Sequence, residues 1–166
     1  MIHKLILKNF KKFEEETFLF NNFDLIVGAN NSGKSTVLQS LAIWQYCVEQ
    51  FRIIRKKGQN GIQIVLPNFT ALPVPEFNLL WKDKKDRKYE DDINTGKKNQ
   101  QYILIEIDVY WMNQNDEEKN FCVQMRYQSP QAVYAKPLKW IRVNVAPGMY
   151  FNSRALRTAS LPDTVF

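Results

Sequence analysis

Apolar and polar positions alternate along residues 2–7, with Ile2, Lys4 and Ile6 on one side and His3, Leu5 and Leu7 on the other. A period of two predicts a β-strand. Residues 9–12 read as a turn, and a second strand is predicted over 15–20, which ends in Thr17, Phe18, Leu19 and Phe20. Asn21-Asn22 is a turn signal. Residues 23–27 are too apolar to be one-faced, which predicts a strand buried on both sides of a sheet. The pattern breaks at residues 28–33 and resumes with helical spacing from 34 to about 55. There Val37, Leu38, Leu41, Ala42, Trp44 and Val48 fall three and four residues apart. Gly58, Asn60 and Gly61 end that helix.

Residues 62–66 predict a short strand. Pro67, Pro73 and Pro75 punctuate the next stretch, and residues 77–81 read as one helical turn. The polar stretch 82–100, with Gly96 inside it, reads as an exposed loop. Alternation returns over 102–112, where Ile103, Ile105, Ile107 and Val109 oppose Leu104, Glu106, Asp108 and Tyr110. After a polar turn at 113–120, residues 121–127 predict the partner strand of a long-looped hairpin. Two more strands are predicted at 133–135 and 140–145. Beyond Pro147-Gly148 the pattern decays, so residues 1–150 read as one lobe and 151–166 as a disordered tail.

Composition agrees with a single packed unit. The chain has 166 residues, 45% of them hydrophobic and 13% aromatic, enough apolar material for a core. No stretch approaches the ~20 apolar residues of a membrane helix, and the N-terminus lacks a signal-peptide pattern. These features predict a cytoplasmic protein with no membrane partner. Cys47 and Cys122 fit no metal spacing and read as buried free thiols. The net charge of +6 permits a polyanionic partner without specifying one. The basic run 82–88 is broken by Asp83 and Asp86 and reads as a solvated loop.

The chemistry lies where the periodicity breaks. Residues 28–36 read Gly-Ala-Asn-Asn-Ser-Gly-Lys-Ser-Thr, which matches G-x-x-x-x-G-K-[ST] at every fixed position. A triphosphate needs several backbone N–H donors around one phosphate. The amides of Asn31, Ser32, Gly33, Lys34 and Ser35 converge only if the loop curls tightly, and Gly28 and Gly33 permit that. Lys34 then reaches the phosphate oxygens, the Ser35 hydroxyl ligates Mg2+, and the following helix start favours an anion. Asn30 and Thr36 complete the loop. ATP with Mg2+ is the predicted ligand. The fold class predicted is α/β: a P-loop NTPase lobe, with a mixed sheet and an antiparallel strand region (about 102–145) flanking the P-loop helix.

The lead-in Lys4-Leu5, Leu7-Lys8-Asn9-Phe10-Lys11-Lys12-Phe13, followed by a strand and then Leu25-Ile26-Val27 and the loop, resembles the N-terminal lobe of the SMC-like ATP-binding-cassette ATPases. That AAA-domain class includes RecF, RecN and the OLD-type nucleases. The resemblance covers residues 1 to about 48, and the proline-rich stretch 68–81 is similar to a bacterial AAA group within the class. It implies that Lys11, with Lys12 beside it, contacts the nucleotide. It also implies DNA repair, recombination or defence, with DNA as a partner. ATP would join two lobes, either in a homodimer or with a C-terminal lobe.

The class takes its hydrolytic groups partly from that C-terminal lobe: a Ser-Gly-Gly segment, an Asp-Glu pair at a strand end and a switch histidine. None is found here. Glu106 and Asp108 alternate on a strand, the only histidine is His3, and Ala146-Pro147-Gly148 stands where a glutamine is expected. No catalytic residue is assigned, and the chain reads as one lobe of a larger ATPase. Two alternatives stay open. One is a structural fragment that binds no nucleotide alone and acts through a partner. The other is a small-molecule kinase, which the antiparallel region argues against. Tyr102, Tyr110, Trp111 and Tyr127 read as cross-strand packing rather than base-stacking groups.

Overall fold

The computed structural model describes residues 1–21, 24–55, 58–91, 98–113 and 115–138. Strand β1 (Ile2–Phe10) turns back through Lys11 and Lys12 into β2 (Phe13–Leu19), with Phe10 opposite Phe13. The helix α1 (Lys34–Arg55) follows the loop, and β3 (Ile62–Val65) comes next. A hairpin of β4 (Arg87–Asp91) and β5 (Lys98–Tyr102) precedes the meander β6 (Ile105–Met112), β7 (Glu118–Ser129) and β8 (Ala132–Pro137). One six-stranded sheet runs in the order β2-β1-β6-β7-β8-β3, and β4 and β5 form a second sheet of two.

Alternation decides which face of the large sheet is covered. Ile105, Ile107 and Val109 of β6 are fully buried, and across the register Leu5, Leu7, Val123 and Met125 join them. This apolar face receives α1. Trp44 meets Trp111 and Phe121 edge-on, at 6.2 and 6.4 Å between ring centroids, and Phe51 lies 6.2 Å from Phe121. The buried stripe of α1 is Val37, Ser40, Ile43, Trp44, Cys47, Phe51 and Ile54, which is the spacing a core-facing helix requires. Leu38, placed on that stripe by the helical spacing, is exposed. Both cysteines are buried free thiols.

The proline-rich stretch closes the rest of the same face. It makes short 3-10 turns at Leu66–Asn68, Phe77–Leu80 and Lys82–Lys84. Between them Phe69, Phe77, Leu80 and Trp81 are buried. The Trp81 ring packs on Tyr127 at 5.7 Å, and its indole N–H donates to the Ile103 carbonyl at 2.6 Å. Each such side chain contributes about 1.5–3 kcal/mol on burial, so this segment is anchored although it has little regular structure.

Three expectations need correction. Every strand pairing is antiparallel, so the sheet among the described residues is not mixed. The predicted strand at 23–27 is absent over 24–27, where the backbone has no ladder partner among the described residues. Leu25, Ile26 and Val27 are 76%, 43% and 74% exposed. An apolar run records a tendency toward burial, but a strand also needs a neighbour to take its N–H and C=O groups. Finally, the stretch read as a loop at 82–100 contains β4 and the first residues of β5. The predicted strand at 140–145 and the tail at 151–166 lie outside the described residues.

Candidate functional site

The loop of residues 28–33 joins the exposed segment 24–27 to the start of α1. Asn31 has a φ of +66° and Gly33 a φ of +103°. Glycine is required at 33 for a second reason. A Cβ there would lie 2.6 Å from Phe13 Cζ and 3.0 Å from Lys12 Cδ. The turn between β1 and β2 therefore presses directly on the loop. The Ser32 N–H donates to the Ala29 carbonyl and the Val37 N–H to the Gly33 carbonyl, both at 3.2 Å. The second bond opens α1, whose first amides have no intrahelical partner, as at any helix start.

Lys34 curls back over this loop. Its Nζ donates to the carbonyls of Gly28 and Ala29 at 2.6 and 2.8 Å, and lies 3.5 Å from Ser32 Oγ. Lys12 reaches across from the β1–β2 turn, and its Nζ donates to the Asn31 carbonyl at 2.9 Å. Lys11 sits one residue away with a φ of +52°. Its N–H donates to the Leu80 carbonyl at 2.8 Å, and its Nζ donates to Gln39 Oε1 on α1 at 2.6 Å. Burial pushes the Lys11 ammonium below its ordinary 10.5. Lys11, Lys12 and Lys34, separated along the chain, are thus gathered around the loop and the first turns of α1.

Their partners are all neutral: backbone carbonyls, a serine hydroxyl and a glutamine amide. Neighbouring cations differ. Lys8 is 3.1 Å from Glu15, and Lys82 is 2.6 Å from Glu14, pairs that raise the pKa of each lysine. Among the described residues no carboxylate makes an ion pair with Lys11, Lys12 or Lys34. The site therefore holds positive charge that none of the described residues neutralises, beside a helix start that also favours anions. The Ser35 hydroxyl is exposed on the second residue of α1, Thr36 is half-buried, and Asn30 is exposed.

Glu106 and Asp108 do not join this site. They alternate with the buried Ile105 and Ile107, so they occupy the sheet face turned away from α1. There Glu106 Oε1 accepts from Gln124 at 2.6 Å, and Asp108 accepts from Asn120 at 3.0 Å. Burial raises the Asp108 pKa, and its hydrogen bonds from Asn120 and Tyr110 oppose that rise. His3 is on the same strand as the lead-in but pairs with Glu118 at 2.8 Å.

Two contacts were not foreseen from the sequence. Phe13 packs against the Gly33 backbone, and Gln39 holds Lys11. Gln39 lies four residues beyond Ser35, hence on the same side of α1. That spacing was the available signal, but nothing in it named Lys11 as the partner.

A family model described as an AAA ATPase domain matches residues 1–139. No curated protein matches the chain. Among the described residues no helix is long and apolar enough to cross a membrane.

Proposed function

The chain belongs to the AAA ATPase domain family, and on that premise we propose that residues 28–36, with Lys11 and Lys12, bind the phosphates of ATP. The observation that carries this reading is the set of three lysines at one loop with only neutral partners. A polyphosphate would replace the loop carbonyls around Lys34 with charged oxygens, and such hydrogen bonds are roughly twice as strong as neutral ones. The donor chemistry also fits Mg2+. The Ser35 hydroxyl is an oxygen ligand, and the phosphates supply the others a hard cation requires. When bound, the ion would neutralise phosphate charge.

The finer reading is the N-terminal lobe of an SMC-like ATPase acting on DNA in repair, recombination or defence. The lead-in through Phe13 and the loop support it, because the β1–β2 turn touches the loop directly. A specific observation also favours completion by a partner, whether a second copy or a C-terminal lobe. The apolar Leu25, Ile26 and Val27, immediately before the loop, are exposed.

Calorimetric titration of MgATP into the wild type and Lys34→Ala tests the phosphate site. Hydrogen bonds to charged groups contribute about 1.5–3 kcal/mol, so the variant should lose at least about tenfold in affinity. Equal affinity in the two proteins would remove Lys34 from the site. Absence of binding in both would favour the partner-completed reading.

A further inference from the structure

On the sheet face turned away from α1, an open groove of about 280 Å3 is lined by Tyr102, Leu104, Gln124, Arg126, Tyr134 and Lys136, among others. Arg126 approaches two of its rings. The guanidinium carbon lies 5.1 Å from the Tyr102 ring centroid and 5.7 Å from that of Tyr134. Arg87 approaches Tyr102 as well, at 5.5 Å. Cations and rings therefore alternate as Arg87, Tyr102, Arg126, Tyr134, of which the last three line the groove. Planar guanidinium stacked on tyrosine is held in place by the ring quadrupole.

The site is built rather than incidental. A Cβ at Gly61 would lie 2.5 Å from Tyr134 Oη and 2.7 Å from its Cζ. The Tyr134 ring thus occupies space that only a glycine leaves free. Arg87 is paired with Asp86 at 2.9 Å. Among the described residues, however, neither Arg126 nor Lys136 forms an ion pair. Glu106, beside Gln124, is the nearest carboxylate in the register, and the Gln124 amide donates to it at 2.6 Å.

Two uncompensated cations ask for an anion, and exposed tyrosines beside them ask for a flat partner. Tyr102 is 44% exposed. Tyr89 is two residues from Arg87 on β4, so it shares that strand's face with Arg87, and it is 63% exposed. The platform therefore extends along the hairpin beyond the span of one ring. A ligand with phosphates and flat rings in regular alternation matches it. In a duplex the base faces are already stacked on each other and would leave these rings without partners.

We propose that this groove and the adjoining hairpin face bind single-stranded nucleic acid, with backbone phosphates on Arg126 and Lys136 and a base stacked on Tyr89. The proposal deepens the DNA-linked reading above by giving the partner a place and a form. It does not depend on the ATP loop, which lies at the start of α1 on the other side of the sheet.

Fluorescence anisotropy with a labelled oligothymidylate of about 12 nucleotides tests it, a length within the roughly 4–16 nucleotides that one OB-fold single-strand site covers. The wild type should bind the single strand more tightly than a duplex of the same length, and binding should weaken with salt. Tyr89→Ala should lose about tenfold, as expected for one stacked base, and Arg126→Glu at least as much. Arg126→Glu should retain the wild-type MgATP titration, so the two readings fail separately. If Arg126→Glu does not fold, as judged by thermal melting, Lys136→Glu carries the same expectation. Unchanged strand affinity in the folded variants overturns the proposal. So does a preference for duplex, or competition by poly-glutamate as strong as that by unlabelled strand.

Discussion

Replacing Gly33 with alanine tests whether the β1–β2 turn shapes the proposed phosphate loop. The new Cβ would stand 2.6 Å from Phe13 Cζ, about 1 Å inside the ~3.5–4.0 Å at which carbon atoms prefer to sit. The φ of +103° adds roughly 1–3 kcal/mol of backbone strain for any residue with a side chain. Phe13 cannot swing aside freely, because its ring meets Phe18 edge-on at 5.3 Å, a contact that contributes about 0.5–1.5 kcal/mol. The loop itself is largely exposed, so it should yield first. Stability should therefore fall by only about 1–2 kcal/mol, while MgATP affinity falls at least about tenfold. Urea unfolding and calorimetry on Gly33→Ala, Phe13→Leu and the double variant would separate the causes. Leucine lacks the Cζ, so the double variant should recover the steric part with a coupling energy of about 1 kcal/mol and retain the φ strain. A Gly33→Ala protein that titrates ATP like the wild type would refute the argument, since the loop would not be held against Phe13.

Further outcomes are expected elsewhere. Ser35→Ala should weaken ATP binding more with Mg2+ than without it; equal losses in the two titrations would remove Ser35 from the metal role. Lys11→Met should change how stability depends on pH. Burial lowers the folded-state pKa of Lys11, so between that value and 10.5 the unfolded chain holds the extra proton and stability rises with pH. The variant should lose that rise in urea midpoints compared with the wild type across the alkaline limb. The comparison cancels Cys47, Cys122 and Tyr110, whose pKa values are pushed up to about 12 and act in the opposite sense. Trp81→Phe should cost about 1–3 kcal/mol, because the Ile103 carbonyl loses its donor; a change below about 0.5 kcal/mol would show that this carbonyl is satisfied otherwise.

The sequence made some parts of this molecule plain because local pattern and final environment coincide there. Residues of β1 and β6 alternate because one face meets α1 and the other does not, and α1 spans the residues its periodicity predicted. The loop was legible from its four fixed positions. The hairpin β4–β5 was not, because Lys98 to Tyr102 are all exposed and a strand with no buried face shows no apolar alternation. Leu25 to Val27 misled for the converse reason: the run is apolar, but no pattern within it specifies a neighbouring strand. Lys11 and Lys12 could be linked to the loop only by resemblance, since their meeting with Asn31 and Gln39 depends on how the β1–β2 turn lies across the helix start. Tyr102 reads as packing in the sequence, yet its ring meets solvent and two guanidinium groups.

The order of strands also bears on how the chain comes to be folded. Leu7 pairs with Ile107, a hundred residues later, whereas β6 pairs with β7 and β7 with β8, each the next strand in the chain. At about 5–20 residues per second, synthesis leaves β1 waiting roughly 5–20 s for its partner. During that interval the apolar sides of Leu5, Leu7 and Phe10 have only β2 and the emerging α1 to cover them. The meander should therefore form first and fast, and the N-terminal hairpin, carrying Lys11 and Lys12 to the loop, should dock last, because closing the longer loop costs more entropy. The loop and the β1–β2 turn thus precede in the chain the strands on which their final placement depends.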